Sequence, residues 1–322
     1  MVSKQALPRR VVVCCTATLH GHGTVRLPDR LDAEGVIAAF SVETPIGAEQ
    51  ILRELDEPGR ELFIDVERKQ GVDILGIATQ CIQHSTLHPH KPNDATVRSL
   101  DVLVTHLMGA DLGALKVGVV GSGNIGFKAG LLLVERGARV FLYARRADAA
   151  QLAVDAINAI LPRHSSTQIE VWTDQKVDLM ITAISARGAI GTEWLDRLSD
   201  KAIVVDVGIG NLSTEFLAAI VERSAHVVRL DTSATGSQLN TGSPDFFEQR
   251  FGRALLAGVP VVSGGIIGSR GMVVVDSFAR PTRVLGLADG VGGLVPLAQL
   301  TDEEKESVGV VQAHLPGDQT GH

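Results

Sequence analysis

The chain has 322 residues, 45% of them apolar and 21% charged, with a net charge of −7. That length allows two domains with ample core, in an ordinary soluble composition. No long basic tract is present, which argues against nucleic acid as the main partner, and no apolar run reaches the length of a membrane span.

Aromatic residues are only 4% and glycines number 34, so Val, Ile, Leu and small residues must build the core, as in a parallel α/β sheet. Met1-Val2-Ser3-Lys4-Gln5 carries no signal-peptide pattern. The odd set Cys14, Cys15 and Cys81 suggests no disulfide framework; buried, inert thiols in a reduced cytoplasm are expected.

In chain order, Arg10 to Thr16 reads as a strand, Val36 to Phe40 as a second, Ala48 to Leu55 as a helix and Leu62 to Val66 as another strand. Residues 82–94 are polar, with His84, His88, His90 and two prolines, and read as a loop at a cleft. Asn93-Asp94 then supplies an N-cap for a helix running to about Gly109. Residues 1–110 are therefore expected to form a small N-terminal α/β substrate domain that ends in a linking helix.

From Leu115 the pattern is regular. Strands are expected at 117–121, 139–143, 169–172, 178–183, 202–206 and 227–231, and helices at 124–136, 147–161, 192–199 and 213–223. Alternating strands and helices with short connections imply a doubly wound parallel sheet, a Rossmann domain over 111–265. Beyond Asp231, Ser243-Pro244-Asp245-Phe246 starts a helix expected to reach Leu256, and strands are expected at Val259–Val262 and Met272–Val275. Gly264-Gly265 and Gly290 to Gly293 read as turns. A helix is expected after Thr301 and a frayed end from Pro316, with 266–322 returning to the interdomain cleft.

The chemistry concentrates at Gly121-Ser122-Gly123-Asn124-Ile125-Gly126, which follows the apolar strand from Lys116 and opens a helix. The first Gly permits a tight turn, the second lets backbone approach a pyrophosphate, and the third lets helix and strand pack closely. The helix N-terminus offers free N–H groups and partial positive charge to phosphates. At the tip of the next strand an NAD-selective site would carry a carboxylate for the ribose 2′-hydroxyl. Here the tip reads Ala144-Arg145-Arg146, so two guanidiniums are available to a 2′-phosphate, and NADP is the expected cofactor. Thr182-Ala183-Ile184-Ser185 and Val207-Gly208-Ile209-Gly210 end two further strands. Their small residues would let the nicotinamide ribose approach the backbone; plain strand-to-loop packing is the alternative. Ser233 to Ser237 follows another strand end and reads either as a ligand contact or as a turn.

Several segments resemble known families. Tyr143-Ala144-Arg145-Arg146 with Ala149 and Gln151-Leu152-Ala153 is similar to the "NRT…KA..LA" stretch of the shikimate dehydrogenase family, and Val177 to Ser185 to its "DLVINATS" segment. Ala202 to Gly210 resembles "VVIDVGIN" of the methylenetetrahydrofolate dehydrogenase/cyclohydrolase family, and Gly290 to Gly293 with Pro296-Leu297-Ala298 weakly resembles its "GGVGPMT" loop. The resemblance covers about residues 94–215 and implies an N-terminal substrate domain, a linking helix and an NADP-binding Rossmann domain. Lys69 and Asp94 stand where the shikimate family places a Lys and a later Asp around its substrate hydroxyls, without that family's "NVTxPxK" context. Lys69 also matches the Lys of the folate family's Tyr-x-x-x-Lys pair, whose Tyr is missing.

Lys69 follows a strand and is expected to face the cleft, where partial burial would lower its pKa into the range of a general acid or base. Asp94 would orient it or a substrate hydroxyl. His84, lying between them in sequence, is the leading histidine for proton transfer, while His20 and His22 flank Gly21 after the first strand. The rival readings are a surface lysine, a helix cap and a solvated loop. No metal site is expected, since no metal-binding spacing is present. The resulting expectation is a cytoplasmic homodimer that moves hydride to or from a small polar substrate. The alternatives are a folate-type dehydrogenase or a non-catalytic NADP-binding sensor.

Overall fold

A computed structural model describes residues 7–15, 21, 23–32, 35–69, 71–208, 210–223, 225–232, 249–263 and 266–316. His20, His22, Ile209, Ser233 to Ser237, Ser243 to Phe246, Gly264, Gly265 and the tail beyond Pro316 lie outside the described residues. The chain divides into two compact units, Met1–Asn240 and Thr241–His322.

The first unit holds two sheets. The first has β1 (Arg10–Cys14), β2 (Thr24–Asp32), β3 (Gly35–Val42), β4 (Glu61–Asp65) and β5 (Thr86–His90) in the order β2-β3-β1-β4-β5. Only the β2–β3 pair is antiparallel. Central β1 is buried along its whole length, so its sequence is a continuous apolar run rather than an alternation. Helices α1 (Pro45–Leu55) and α2 (Ile74–Cys81) bury Ile51, Leu52, Leu55 and Ala78 in one cluster with Val11, Val13 and Phe40. Thr44 and Asp73 cap them by accepting from the third backbone N–H of each helix. All three cysteines are buried.

Both edge strands carry a proline, Pro28 in β2 and Pro89 in β5. An edge strand tolerates the missing donor because one of its sides has no partner strand. The stretch 82–94 is therefore not a cleft loop, since it contains β5 and the start of α3 (Pro92–Met108). Nor do Asn93 and Asp94 cap α3. Pro92 occupies the first helical position, Lys91 precedes it, and both candidate caps lie inside the first turn.

The second sheet comprises β6 (Lys116–Val120), β7 (Arg139–Tyr143), β8 (Ile169–Val171), β9 (Val177–Thr182), β10 (Leu198–Asp206) and β11 (His226–Arg229). All its pairs are parallel, in the order β8-β7-β6-β9-β10-β11, which is the doubly wound Rossmann order. On one face, α3, α4 (Asn124–Glu135) and α5 (Ala147–Ile160) bury Leu100, Val104, Ala129, Leu133 and Val154 against Val117, Val119, Val140 and Ile181. On the other, a 3-10 turn (Thr192–Arg197) and α6 (Thr214–Val221) bury Trp194, Leu195, Phe216 and Ile220. The α3 helix belongs to this second layer as well as linking the sheets. Arg136, which caps the carboxyl end of α4, pairs with Asp101 and donates to the Ala110 carbonyl.

The connection from β8 to β9 contains no helix. Residues 172–176 cross the sheet directly, and Trp172 lies so close over Gly118 that a Cβ there would stand 2.2 Å from the indole. The chain's single Tyr and two Trp meet at this point. Tyr143 and Trp172 each meet Trp194 edge-on, and the Arg197 guanidinium lies 4.9 Å from the Trp194 ring centre.

Among its described residues the second unit has one sheet, β12 (Gly252–Leu256), β13 (Val259–Ser263), β14 (Val273–Val275) and β15 (Val284–Leu287), in sequential order. It packs against α7 (Asp302–His314), whose start carries a full capping box between Thr301 and Glu304. Residues 252–256 are thus a strand, not the end of a helix, and the boundary expected at 265 falls between two paired strands of this sheet. Among the described residues no helix is long and apolar enough to cross a membrane.

Candidate functional site

The strand order of the second sheet reverses between β6 and β9, and the glycine-rich turn sits at the carboxyl end of β6. Gly121 has φ +123°, and a Cβ on it would stand 2.4 Å from the Ala183 carbonyl oxygen. A Cβ on Gly126 would stand 1.9 Å from the Gly121 carbonyl oxygen, so helix and turn touch backbone to backbone. Gly123 differs: a Cβ there would meet no atom within 4 Å, and both Gly123 and Asn124 are exposed. The first helical bond of α4 runs from the Phe127 N–H to the Gly123 carbonyl. Among the described residues no side chain caps this helix, and no acidic residue stands in its first turn. The N–H groups of Asn124, Ile125 and Gly126 therefore have no partner within the helix, with Ser122 beside them in the turn. A cradle of this form fits a diphosphate.

At the tip of β7, Ala144 is half-buried while Arg145 and Arg146 are exposed. Among the described residues Arg146 makes only a loose 3.6 Å pair with exposed Asp148. On the other side of the turn, Thr182 is wholly buried and its hydroxyl donates to the Asp206 carboxylate at 2.9 Å. Thr182 thus joins β9 to β10, and its hydroxyl is engaged within the protein. Ala183 and Ile184 are half-buried beyond it, and Val207 is buried. Gly208 could carry no Cβ, which would stand 2.1 Å from Asn211 Oδ1 and 2.2 Å from the Ile184 carbonyl oxygen. Its smallness serves the packing of the two strand ends.

A second cluster gathers at the carboxyl end of the first sheet. Asp65 ends β4 and is 1% exposed. Its carboxylate accepts from the N–H groups of Cys15 and Glu67, at 3.1 and 2.8 Å, and from the Lys69 ammonium at 3.2 Å. Glu67 Oε2 lies 2.9 Å from Lys69 Nζ and accepts from the Asn93 N–H, so this carboxylate caps α3 from another element. Glu67 Oε1 is buried and has no hydrogen-bond partner among the described residues. The remaining Lys69 contact is the Cys15 carbonyl at 3.5 Å.

Burial of Lys69 by itself favours the neutral amine. The charges of Asp65 and Glu67 and their hydrogen bonds outweigh it, and the net shift is upward from 10.5. The expected lowering into the working range is therefore reversed, and Lys69 is an ammonium through the neutral range.

Asp94 does not orient Lys69. It binds Lys128 of α4 and lies 3.1 Å from Lys91 Nζ, and the hydrogen bond from Lys128 holds its carboxyl below the ordinary value. Glu67, through Asn93, is the link between the two sites. His84 stands apart: it is exposed and precedes β5, at the amino end of the sheet. Its backbone N–H donates to Asp56, not to any residue of the Lys69 cluster. The sequence reading missed Asp65, Glu67, Lys128, Asp206 and Asn211. The available signal was a carboxylate closing each of two apolar runs, Leu62–Ile64 and Ala202–Val205, where burial demands partners.

The chain matches no protein-family model and no curated protein. Among solved structures it is similar to a hetero-hexameric glutamate dehydrogenase from Thermus thermophilus, at 18% identity and TM-score 0.40, over 64% of this chain and 58% of that one. It is similar also to the A chain of dipicolinate synthase from Bacillus subtilis, at 14% identity and TM-score 0.39, over 72% and 74% of the two chains. A third is a phosphoglycerate oxidoreductase from Vibrio cholerae O395, at 11% identity and TM-score 0.35, over 68% and 82%. The chain spans less than two thirds of the glutamate dehydrogenase. These scores carry no activity across, and the architecture rests on the strand order itself.

Proposed function

We propose that the protein is an NADP(H)-dependent oxidoreductase that moves hydride to or from a C–O or C–N centre of a small polar metabolite, with a specificity of the shikimate dehydrogenase kind. The carrying observation is the uncapped start of α4 behind Gly123, with two exposed guanidiniums at the neighbouring strand tip. In this reading the N–H groups of Asn124, Ile125 and Gly126 hold the diphosphate, and Arg145 and Arg146 hold the 2′-phosphate. The bound nicotinamide supplies the hydride. Lys69 serves as the acid of the reduction: it is charged, and Asp65 and Glu67 fix its position. The hydrogen facing the Cys15 carbonyl, at 3.5 Å, is the one loose enough to turn toward a substrate.

One observation favours a non-catalytic NADP sensor instead, namely that all of Lys69's contacts are already made within the protein. Tight NADPH binding without turnover across a panel of small carbonyl and imine compounds would support that second reading.

The test is calorimetry with both cofactors. Arg145→Asp combined with Arg146→Ala is expected to weaken NADPH by at least about 30-fold and NADH by less than about threefold, because only the 2′-phosphate is lost as a partner. Equal losses would refute the 2′-phosphate assignment. No saturable binding of either nucleotide to the unaltered protein would overturn the whole reading.

A further inference from the structure

We propose that Asp206 and Asn211 are positioning residues that hold the nicotinamide half of the cofactor site in its binding geometry before ligand arrives. The proposal rests on the nucleotide reading above. If the diphosphate lies on the turn after β6 and the adenosine end reaches the arginines after β7, the nicotinamide end extends the other way, over the ends of β9 and β10.

Those two ends are joined to an unusual degree. Asp206 receives the Thr182 hydroxyl on one oxygen, and the N–H groups of Gly210 and Asn211 on the other, at 2.7 and 3.3 Å. Asn211 is wholly buried, and its side chain is spent on the facing loop. Its Nδ2 donates to the carbonyls of Ile184 and Ala186 at 2.9 and 3.0 Å, and its Oδ1 accepts from the Ile184 N–H at 3.3 Å. Backbone bonds from Gly188 to Gly210 and from Ile190 to Asn211 continue the seam.

Apolar side chains would join two strands at lower desolvation cost. A polar seam does what apolar packing cannot, because it fixes the direction of each loop carbonyl and N–H. Loops ordered in advance pay no ordering entropy when the ligand binds.

The experiment compares NADP+ with adenosine 2′,5′-bisphosphate, which carries only the adenosine end, by calorimetry on the full chain. Asn211→Ala is expected to weaken NADP+ by about tenfold or more and the bisphosphate by less than about twofold. Amide exchange in residues 184–190 is expected to accelerate in the same variant. Thr182→Val deletes one hydroxyl and should act in the same direction, by roughly threefold, so the test survives a misfolded Asn211→Ala.

Equal losses for the two ligands would mark the pair as merely structural and overturn the proposal, as would unchanged affinities. An unaltered protein that binds neither ligand would instead sink the nucleotide reading itself, and the two failures are told apart by that control.

Discussion

The Lys69 ammonium stands 2.9 Å from the Glu67 carboxylate and 3.2 Å from that of Asp65, whose side chain is wholly buried. Removing the cation strands two acids. Lys69→Met is expected to cost about 3–5 kcal/mol of stability at neutral pH, read by urea unfolding, because the penalty is the uncompensated charge left behind. The pKa of Lys69 is raised in the folded state, so its contribution is complete below the ordinary value of 10.5 and is lost as pH rises through the higher folded value. The unaltered protein should therefore lose stability on that alkaline limb while Lys69→Met does not; parallel limbs would remove the ion cluster from the account. At temperatures where the variant stays folded, turnover should fall by about 100-fold with NADPH affinity within about twofold, the pattern of a lost proton donor.

Gly123 and Gly126 separate binding from folding within one turn. A Cβ at Gly126 meets the Gly121 carbonyl oxygen at 1.9 Å, so Gly126→Ala is expected to lower the unfolding midpoint along with nucleotide affinity. A Cβ at Gly123 meets no atom within 4 Å, and its φ of −73° suits any residue. Gly123→Ala should leave the unfolding midpoint unchanged and still weaken NADPH by about tenfold or more, since the methyl group fills the side on which a diphosphate would lie. Unchanged affinity in a stable Gly123→Ala protein would move the phosphate site elsewhere.

The second sheet was legible because parallel strands covered on both faces write themselves as short apolar runs between helical periods. Besides β15, the strands that escaped notice are of another kind. β2 and β5 are edge strands interrupted by Pro28 and Pro89, and a proline rule suited to central strands demotes them. β12 reads Gly-Arg-Ala-Leu-Leu, and its last four residues are good helix formers that a two-residue hairpin overrules. Ala257 and Gly258 both take positive φ, 50° and 81°, the turn that matches strand twist, but Ala-Gly is not the usual sequence signal for it. Of the candidate site, the glycine turn was visible as a motif. The Asp65–Glu67–Lys69 and Asp206–Asn211 arrangements were not: each is short in sequence, but the partners that give it its geometry, Cys15 and Asn93 for the first and Thr182 and Ile184 for the second, come from segments that local periodicity does not bring together.

Asp56 gives a prediction at the far end of the first sheet. Its carboxylate accepts the N–H groups of Gln83, His84 and Ser85 at 2.8, 2.9 and 2.8 Å, and so forms the turn that delivers the chain into β5. Burial pushes this carboxyl up, but the three backbone donors outweigh it and hold it down at about 2, against 3.8 ordinarily. A depressed acid stabilises the fold above its ordinary value, and that contribution is lost as pH falls from near 3.8 through about 2. Asp56→Ala should therefore cost on the order of 1–2 kcal/mol at pH 7, allowing for solvent screening. The gap to the unaltered protein should narrow as the medium is acidified below pH 4, since the unfolded chain then takes up a proton that the folded carboxylate still excludes. Urea midpoints for the two proteins between pH 7 and pH 3 measure this directly. A gap that stayed constant over that range would show that the turn is held by something other than the ionised carboxylate.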